Sequence, residues 1–173
     1  MEKLTDEELM NSIVEGNLNN MRYLFERHHK YVFNFLLKMC GDKVLSEDLT
    51  QEVFYKIIKH RATYNNGKFT SWMFTIARNS LASHFRKNNE VHDDLEKVAF
   101  GLTDEDNMNN DYSHLHKALE KLPVSDRELI VLNRFHEIKY EELSQIVQST
   151  PGAVKVKVNR ALKKLKNIYF QTI

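Results

Sequence analysis

The sequence predicts an all-α protein: two small helical domains joined by a flexible acidic linker, the C-terminal one a helix-turn-helix. Glycine and proline are scarce, five and two in 173 residues, while Leu, Lys, Glu and Asn recur at helical spacing. Residues 88–113 stand apart, rich in Asn and Asp with little apolar periodicity. A capped basic helix close to the C-terminus completes the pattern.

Thr5 with Glu8 reads as a capping box and Leu4 with Leu9 as its hydrophobic staple, so a short helix is predicted from Asp6 to near Gly16. From Asn20 to Cys40, Met21, Leu24, Phe25, Val32, Phe35, Leu36 and Met39 form one apolar stripe that Gly41 and Asp42 end. The next helix, about Val44 to His60, is expected to bury Leu45, Leu49, Val53 and Ile57 and to leave Asp48 and Glu52 one turn apart on another face. Asn65-Asn66-Gly67 signals a turn, after which Thr70 or Ser71 can cap a helix through Lys87 with Trp72, Ile76 and Phe85 among its apolar positions.

The domain division is therefore 1–88, a linker 89–113, and 114–173. In the second domain Leu115, Ala118, Leu119 and Leu122 make a helix that Pro123 stops, and Val124 to Leu129 repeats the staple and capping-box pattern around Ser125 and Glu128. Tyr140 to Val147 forms a short helix, Gln148-Ser149 a turn, and Thr150-Pro151 an N-cap followed by proline at the first helical position.

The net charge of +1 conceals a segregation. Residues 91–112 hold the acids Asp93, Asp94, Glu96, Asp104, Glu105, Asp106 and Asp111 against Lys97, whereas 150–173 hold Lys155, Lys157, Arg160, Lys163, Lys164 and Lys166 and no acid. Such separation predicts a polyanion partner for the C-terminal end. Val154, Val158, Ala161 and Leu165 step by four, three and four, which turns Lys155, Val156, Asn159 and Lys163 outward with Lys157, Arg160 and Lys164 flanking. A helix with a small N-terminal turn and a basic outer face can enter the DNA major groove, its amides and cations meeting phosphate while side chains reach base edges. Val156 reads either as a thymine-methyl contact or as a tolerated surface valine.

The segment from Phe69 to Asn79 interleaves aromatics with polar and basic groups directly after the Asn65-Asn66-Gly67-Lys68 turn. Such a surface stacks on unpaired bases, each worth roughly 1–3 kcal/mol. The competing reading puts Phe69 and Trp72 in the core, and a mixture of the two is expected.

DLTQEVFYKIIKH (48–60) and FTSWMFTIARNSLASHFRK (69–87) together closely resemble region two of extracytoplasmic-function sigma factors. ALEKLP (118–123), YEEL (140–143) and GAVKVKVNRALKKL (152–165) resemble their region-four helix-turn-helix, in family order. The resemblance implies a non-enzymatic subunit that brings core RNA polymerase to promoter DNA. It implies that Asp48, Gln51 and Glu52 dock on the β′ clamp helices and that Asn65, Asn66, Gly67 and Lys68 capture a flipped base of the −10 element. Trp72, Phe74, Asn79 and Arg86 would support strand separation. Lys155, Val156, Lys157, Asn159 and Arg160 match positions that contact the −35 element, with Thr150, Gly152 and Ala153 bringing backbone close to phosphate. Further implied partners are the polymerase β flap and an anti-sigma factor, and the linker would thread the polymerase, its Asp93, Asp94, Asp104 and Asp106 imitating RNA or merely keeping the tether soluble. The chain departs from the family pattern in several places: Lys139 replaces a capping serine, Gln148 replaces the usual turn glycine, and Val156 and Leu162 stand where serine and arginine are common.

Other function classes fare worse. A stand-alone helix-turn-helix regulator predicts a dimer on a palindrome, whereas the sigma reading predicts a monomer when free. No catalytic residue, cofactor or metal is expected: the His28-His29 and His114-x-His116 pairs lack zincin spacing, Gly67-Lys68-Phe69 is no phosphate loop, and the one cysteine, Cys40, supports neither a disulfide nor a thiolate zinc site. No run of eighteen apolar residues exists, and Met1 to Thr5 lacks a signal-peptide pattern, so a cytoplasmic chain without membrane insertion is the expectation.

Overall fold

The computed structural model describes residues 3–91 and 110–171, and their regular structure is entirely helical. The middle of the expected linker, with Asp93, Asp94, Asp104 and Asp106, lies outside the described residues; helices reach into its expected ends from both sides, to Val91 and from Asn110. The chain divides into two compact units, Met1–Leu36 with Lys43–Val98, and Leu37–Asp42 with Ala99–Ile173.

The first unit begins with α1 (Asp6–Val14), whose Thr5–Glu8 capping box forms as the sequence predicts. A 3-10 turn at Leu18–Asn20 leads into α2 (Met21–Cys40), and Gly41, at φ 70°, supplies the left-handed residue that stops it. Met21, Leu24, Val32, Phe35, Leu36 and Met39 are buried as their spacing requires. Phe25 is not: it is 40% exposed, stacked on His29 at 4.7 Å and edge-on to Phe54 at 5.0 Å. In α3 (Lys43–Lys59) Leu49, Val53 and Ile57 are buried, but Leu45 is only half-buried and Ser46 and Thr50 take core places. Thr50 is satisfied there by donating its hydroxyl to the Ser46 carbonyl at 2.6 Å.

A second 3-10 turn, Arg61–Thr63, precedes α4 (Phe69–Val91), which packs along α3 and touches α1. Neither Thr70 nor Ser71 caps α4, since both lie inside it; Phe69, Met73, Ala77 and Leu81 are buried, whereas Trp72 and Ile76, among the apolar positions read from the sequence, are half-buried and Phe85 is exposed. The start at Phe69 is set instead by a group 62 residues earlier in the chain, the Glu7 carboxylate on α1, which accepts the Phe69 N–H at 3.1 Å.

The second unit comprises α5 (Asn110–Glu120), α6 (Val124–Ile130), a π turn at Val131–Phe135, α7 (Tyr140–Ile146) and α8 (Pro151–Gln171). α8 is the hub, packed by α5, α6 and α7. Ala118, Leu119, Leu122, Ile130, Ala161 and Leu165 make a common core flanked by Leu115, Phe135, Leu162, Ile168 and Tyr169. The expected Ser125–Glu128 capping box is absent, because Pro123 at φ −52° already starts α6 and places Ser125 within its first turn. Arg127 is buried and its guanidinium donates to the carbonyls of Leu119, Glu120 and Leu122 at 2.8, 2.8 and 3.1 Å, satisfying acceptors that the end of α5 leaves open.

Candidate nucleic-acid interface

The short helix, turn and long helix of the second unit are placed as their sequence demands. Leu143 and Ile146 bury α7 against α8, and Ser149 N–H closes the turn onto the Ser144 carbonyl at 2.8 Å. Thr150 caps α8, its hydroxyl accepting the Ala153 N–H at 3.2 Å, with Pro151 at the first helical position. Lys139 makes no side-chain cap for α7, and Gln148 sits at φ 54° in the left-handed region where glycine would be unstrained.

Val154, Val158 and Ala161 are fully buried and Leu165 nearly so. The opposite face of α8 is therefore committed to solvent: Lys155, Val156, Lys157, Asn159 and Arg160 are all exposed, as are Thr150 and Gly152, while Ala153 is half-buried. Lys164, further along, is drawn aside by an ion pair with Asp126 at 3.0 Å. A Cβ on Gly152 would meet no atom within 4 Å, so crowding inside the protein does not explain the glycine; open space adjoins the first turn of α8.

In the first unit Asn65, Asn66, Gly67 and Lys68 are all exposed between the 3-10 turn and α4. The left-handed residue of this loop is Asn66, at φ 52°, rather than Gly67, beside which a Cβ would again meet only open space. Trp72, Asn79 and Arg86 are spaced by seven and so share one face of α4, spanning roughly 21 Å of the helix from Trp72 to Arg86. Trp72 is half-buried, with Tyr64 edge-on at 5.2 Å and Phe69 tilted at 6.3 Å; Asn79 and Arg86 are exposed. Phe74 departs from expectation, being 3% exposed with its ring edge-on to Phe35 at 5.6 Å. It is a core residue, and Phe69, fully buried, is another.

Asp48, Gln51 and Glu52 are exposed together on α3. Lys56 pairs with Glu52 at 2.7 Å and donates to Ser80 Oγ at 3.0 Å, which joins this acidic face of α3 to α4. Two residues with no local signal in the sequence bear on the loop. The Tyr64 hydroxyl donates to the Gly67 carbonyl, and Glu7 holds the Phe69 amide. Among the described residues no cluster of His, Cys, Asp or Glu could hold a metal ion, and no helix is long and apolar enough to cross a membrane.

The architecture defines a class: two helical modules in one chain, one a basic helix-turn-helix and the other an aromatic and polar platform behind an exposed loop. Comparison with known proteins narrows it. The Sigma-70 region 2 family matches residues 24–91 and the Sigma-70, region 4 family matches residues 113–165. The ECF RNA polymerase sigma factor SigM of Bacillus subtilis (strain 168) is 30% identical over 158 residues, covering 84% of this chain and 93% of SigM. RNA polymerase sigma factor CarQ of Myxococcus xanthus is 29% identical over 160 residues, covering 89% and 91%. The fold is shared with CnrH, solved in complex with the cytosolic domain of CnrY, at a TM-score of 0.74 and 19% identity over 94% of this chain and 96% of that one. The chain belongs to the extracytoplasmic-function (ECF) family of RNA polymerase sigma factors. It directs promoter-specific initiation of transcription, and the stand-alone regulator is not favoured.

Proposed function

We propose that this sigma factor reads the −35 element with the outer face of α8, captures a −10 base in the loop 65–68, and docks on the polymerase β′ clamp helices through Asp48, Gln51 and Glu52. The observation that carries the reading is the pairing, within one chain, of a basic exposed helix face with an exposed Asn-rich loop leading to Trp72. Lys155, Lys157 and Arg160 supply phosphate contacts and bidentate reach to guanine, Asn159 can pair with adenine, and Val156, 48% exposed, meets a thymine methyl. The open space beside Gly152 lets phosphate approach the amides of the first turn of α8.

At the −10 element a flipped base stacks against the exposed edge of Trp72, while Asn79 and Arg86 follow the single strand along α4. Phe74 contributes only by packing α4 against α2. Residues 1–88 then serve polymerase and the −10 element, residues 114–173 the −35 element and the β flap, and 89–113 connect them. Such a subunit needs no catalytic group of its own and works where core polymerase is, in the cytoplasm. The sigma factor RpoE of Bartonella quintana was solved with the anti-sigma factor NepR, and CnrH with part of CnrY; an inhibitor of that kind is the expected further partner here, with the free chain monomeric.

The test is transcription from pooled genomic fragments by purified core polymerase with and without this chain, followed by mapping of transcript starts. A shared pair of upstream elements, lost from the −35 side with Arg160→Ala, is expected. Starts indifferent to the added chain would sink the proposal.

A further inference from the structure

We propose that Tyr64 and Glu7 are positioning residues of the −10 site, which together set the shape of the loop that holds the flipped base. The inference rests on the reading of residues 65–68 as that loop. A captured base is discriminated only if its pocket is held to roughly 0.5 Å, and the loop is exposed throughout, so its shape must come from groups outside it.

Two such groups are present. At the entrance, Tyr64 is 7% exposed, its hydroxyl donates across the bend to the Gly67 carbonyl, and its ring stands edge-on to Trp72. One side chain thus fixes both the loop and the aromatic behind it. Burial, reinforced by the nearby Glu7 and Asp6 carboxylates, pushes the Tyr64 phenol above its ordinary value, so it remains a donor at neutral pH. At the exit, the first turn of α4 follows Lys68, whose side chain can accept no amide hydrogen bond. Glu7 supplies the missing acceptor, and a carboxylate at a helix N-terminus also suits the helix dipole. Glu7 is itself held because its neighbour Asp6 accepts from Arg27 at 3.0 Å and His28 at 2.8 Å, pinning α1 to α2.

The experiment uses full-length chain with core polymerase on a promoter found by the mapping above, and on templates with single-base changes in the −10 and −35 elements. The readout is base discrimination at each position, with thermal melting of each variant alongside. Tyr64→Phe, which keeps the ring and removes only the donor, is expected to reduce discrimination at one −10 position roughly three- to tenfold, the value of one hydrogen bond. Glu7→Ala should do likewise and Glu7→Gln, whose amide oxygen can still accept, should restore it. Discrimination at the −35 element is the internal reference. If Tyr64→Phe and Glu7→Ala lower both elements alike, or lower only the melting temperature, the two residues merely support the fold and the assignment is overturned. Asn65→Ala separates the underlying reading: if it flattens −10 discrimination while Tyr64→Phe does not, the loop stands and the inference falls. If Asn65→Ala changes nothing, the loop reading itself falls and takes the inference with it.

Discussion

The two proposed DNA-binding sites are built in opposite ways. The outer face of α8 is presented by its own helix: once Val154, Val158, Ala161 and Leu165 are buried, 3.6-residue periodicity alone directs Lys155, Asn159 and Arg160 outward. The loop 65–68 has no such internal rule and takes its shape from Tyr64 and from Glu7, which lies on a helix sixty residues away in sequence. A helix face is therefore as stable as the core beneath it, whereas the loop depends on a few individual hydrogen bonds.

The largest consequence is that the helix face should fail with its core. Leu143 is fully buried on α7, and Leu143→Ala removes a side chain that holds α7 on α8. The expected loss is about 2–5 kcal/mol, a large share of what a unit this small has. Urea titration followed by far-UV circular dichroism should show part of the helix content melting early. The fluorescence of Trp72, the one tryptophan and a reporter of the first unit, should keep its midpoint. A single transition shared by both signals would break the contrast.

Acid should separate the units in the same direction. Burial pushes the His136 imidazole down from the usual 6.5 to about 4. The folded unit thus refuses a proton that the unfolded chain accepts: stability is complete above pH 6.5, declines between about 6.5 and 4, and is flat below. The full loss is about 3 kcal/mol. In the first unit, Asp6 is held below its ordinary 3.8, chiefly by its hydrogen bond to His28. Its contribution is present above that value and lost only as pH falls beneath it. Amide exchange in α7 and α8, corrected for intrinsic rate, should therefore lose protection from pH 6.5 downward, and His136→Phe should flatten the slope. Unchanged protection down to pH 4.5 would contradict the burial of that ring.

This contrast also explains what could be read from the sequence. The Thr5–Glu8 box, the Thr150-Pro151 start and the α8 stripe are local patterns, and each formed as expected. Two of the mismatches have their cause in distant contacts. Thr70 and Ser71 have the chemistry of caps, but the acceptor at the start of α4 is Glu7, far away in sequence, and Phe74 has the pattern of a base-stacking aromatic but lies against Phe35. Ser125 and Glu128 have capping-box spacing, but Pro123 starts α6 before they can use it. The role of Tyr64 was hidden for a different reason: a tyrosine before Asn-Asn-Gly is unremarkable until the bend returns the Gly67 carbonyl to its hydroxyl.

The smallest expected effect compares the two bends directly. Gln148 and Asn66 have nearly equal φ, 54° and 52°, both left-handed. Strain there is roughly 1–2 kcal/mol for an ordinary L-residue, but asparagine tolerates the region and glycine carries none of it. Glycine returns part of any gain through the greater freedom of the unfolded chain. Gln148→Gly should therefore stabilise the second unit by about 0.5–1 kcal/mol, with urea midpoints as the measure, while Asn66→Gly should leave the first near neutral or slightly weaker. Equal gains at both would mean that Asn66 is strained after all, and that the loop, like the turn before α8, holds its shape against its own backbone preference.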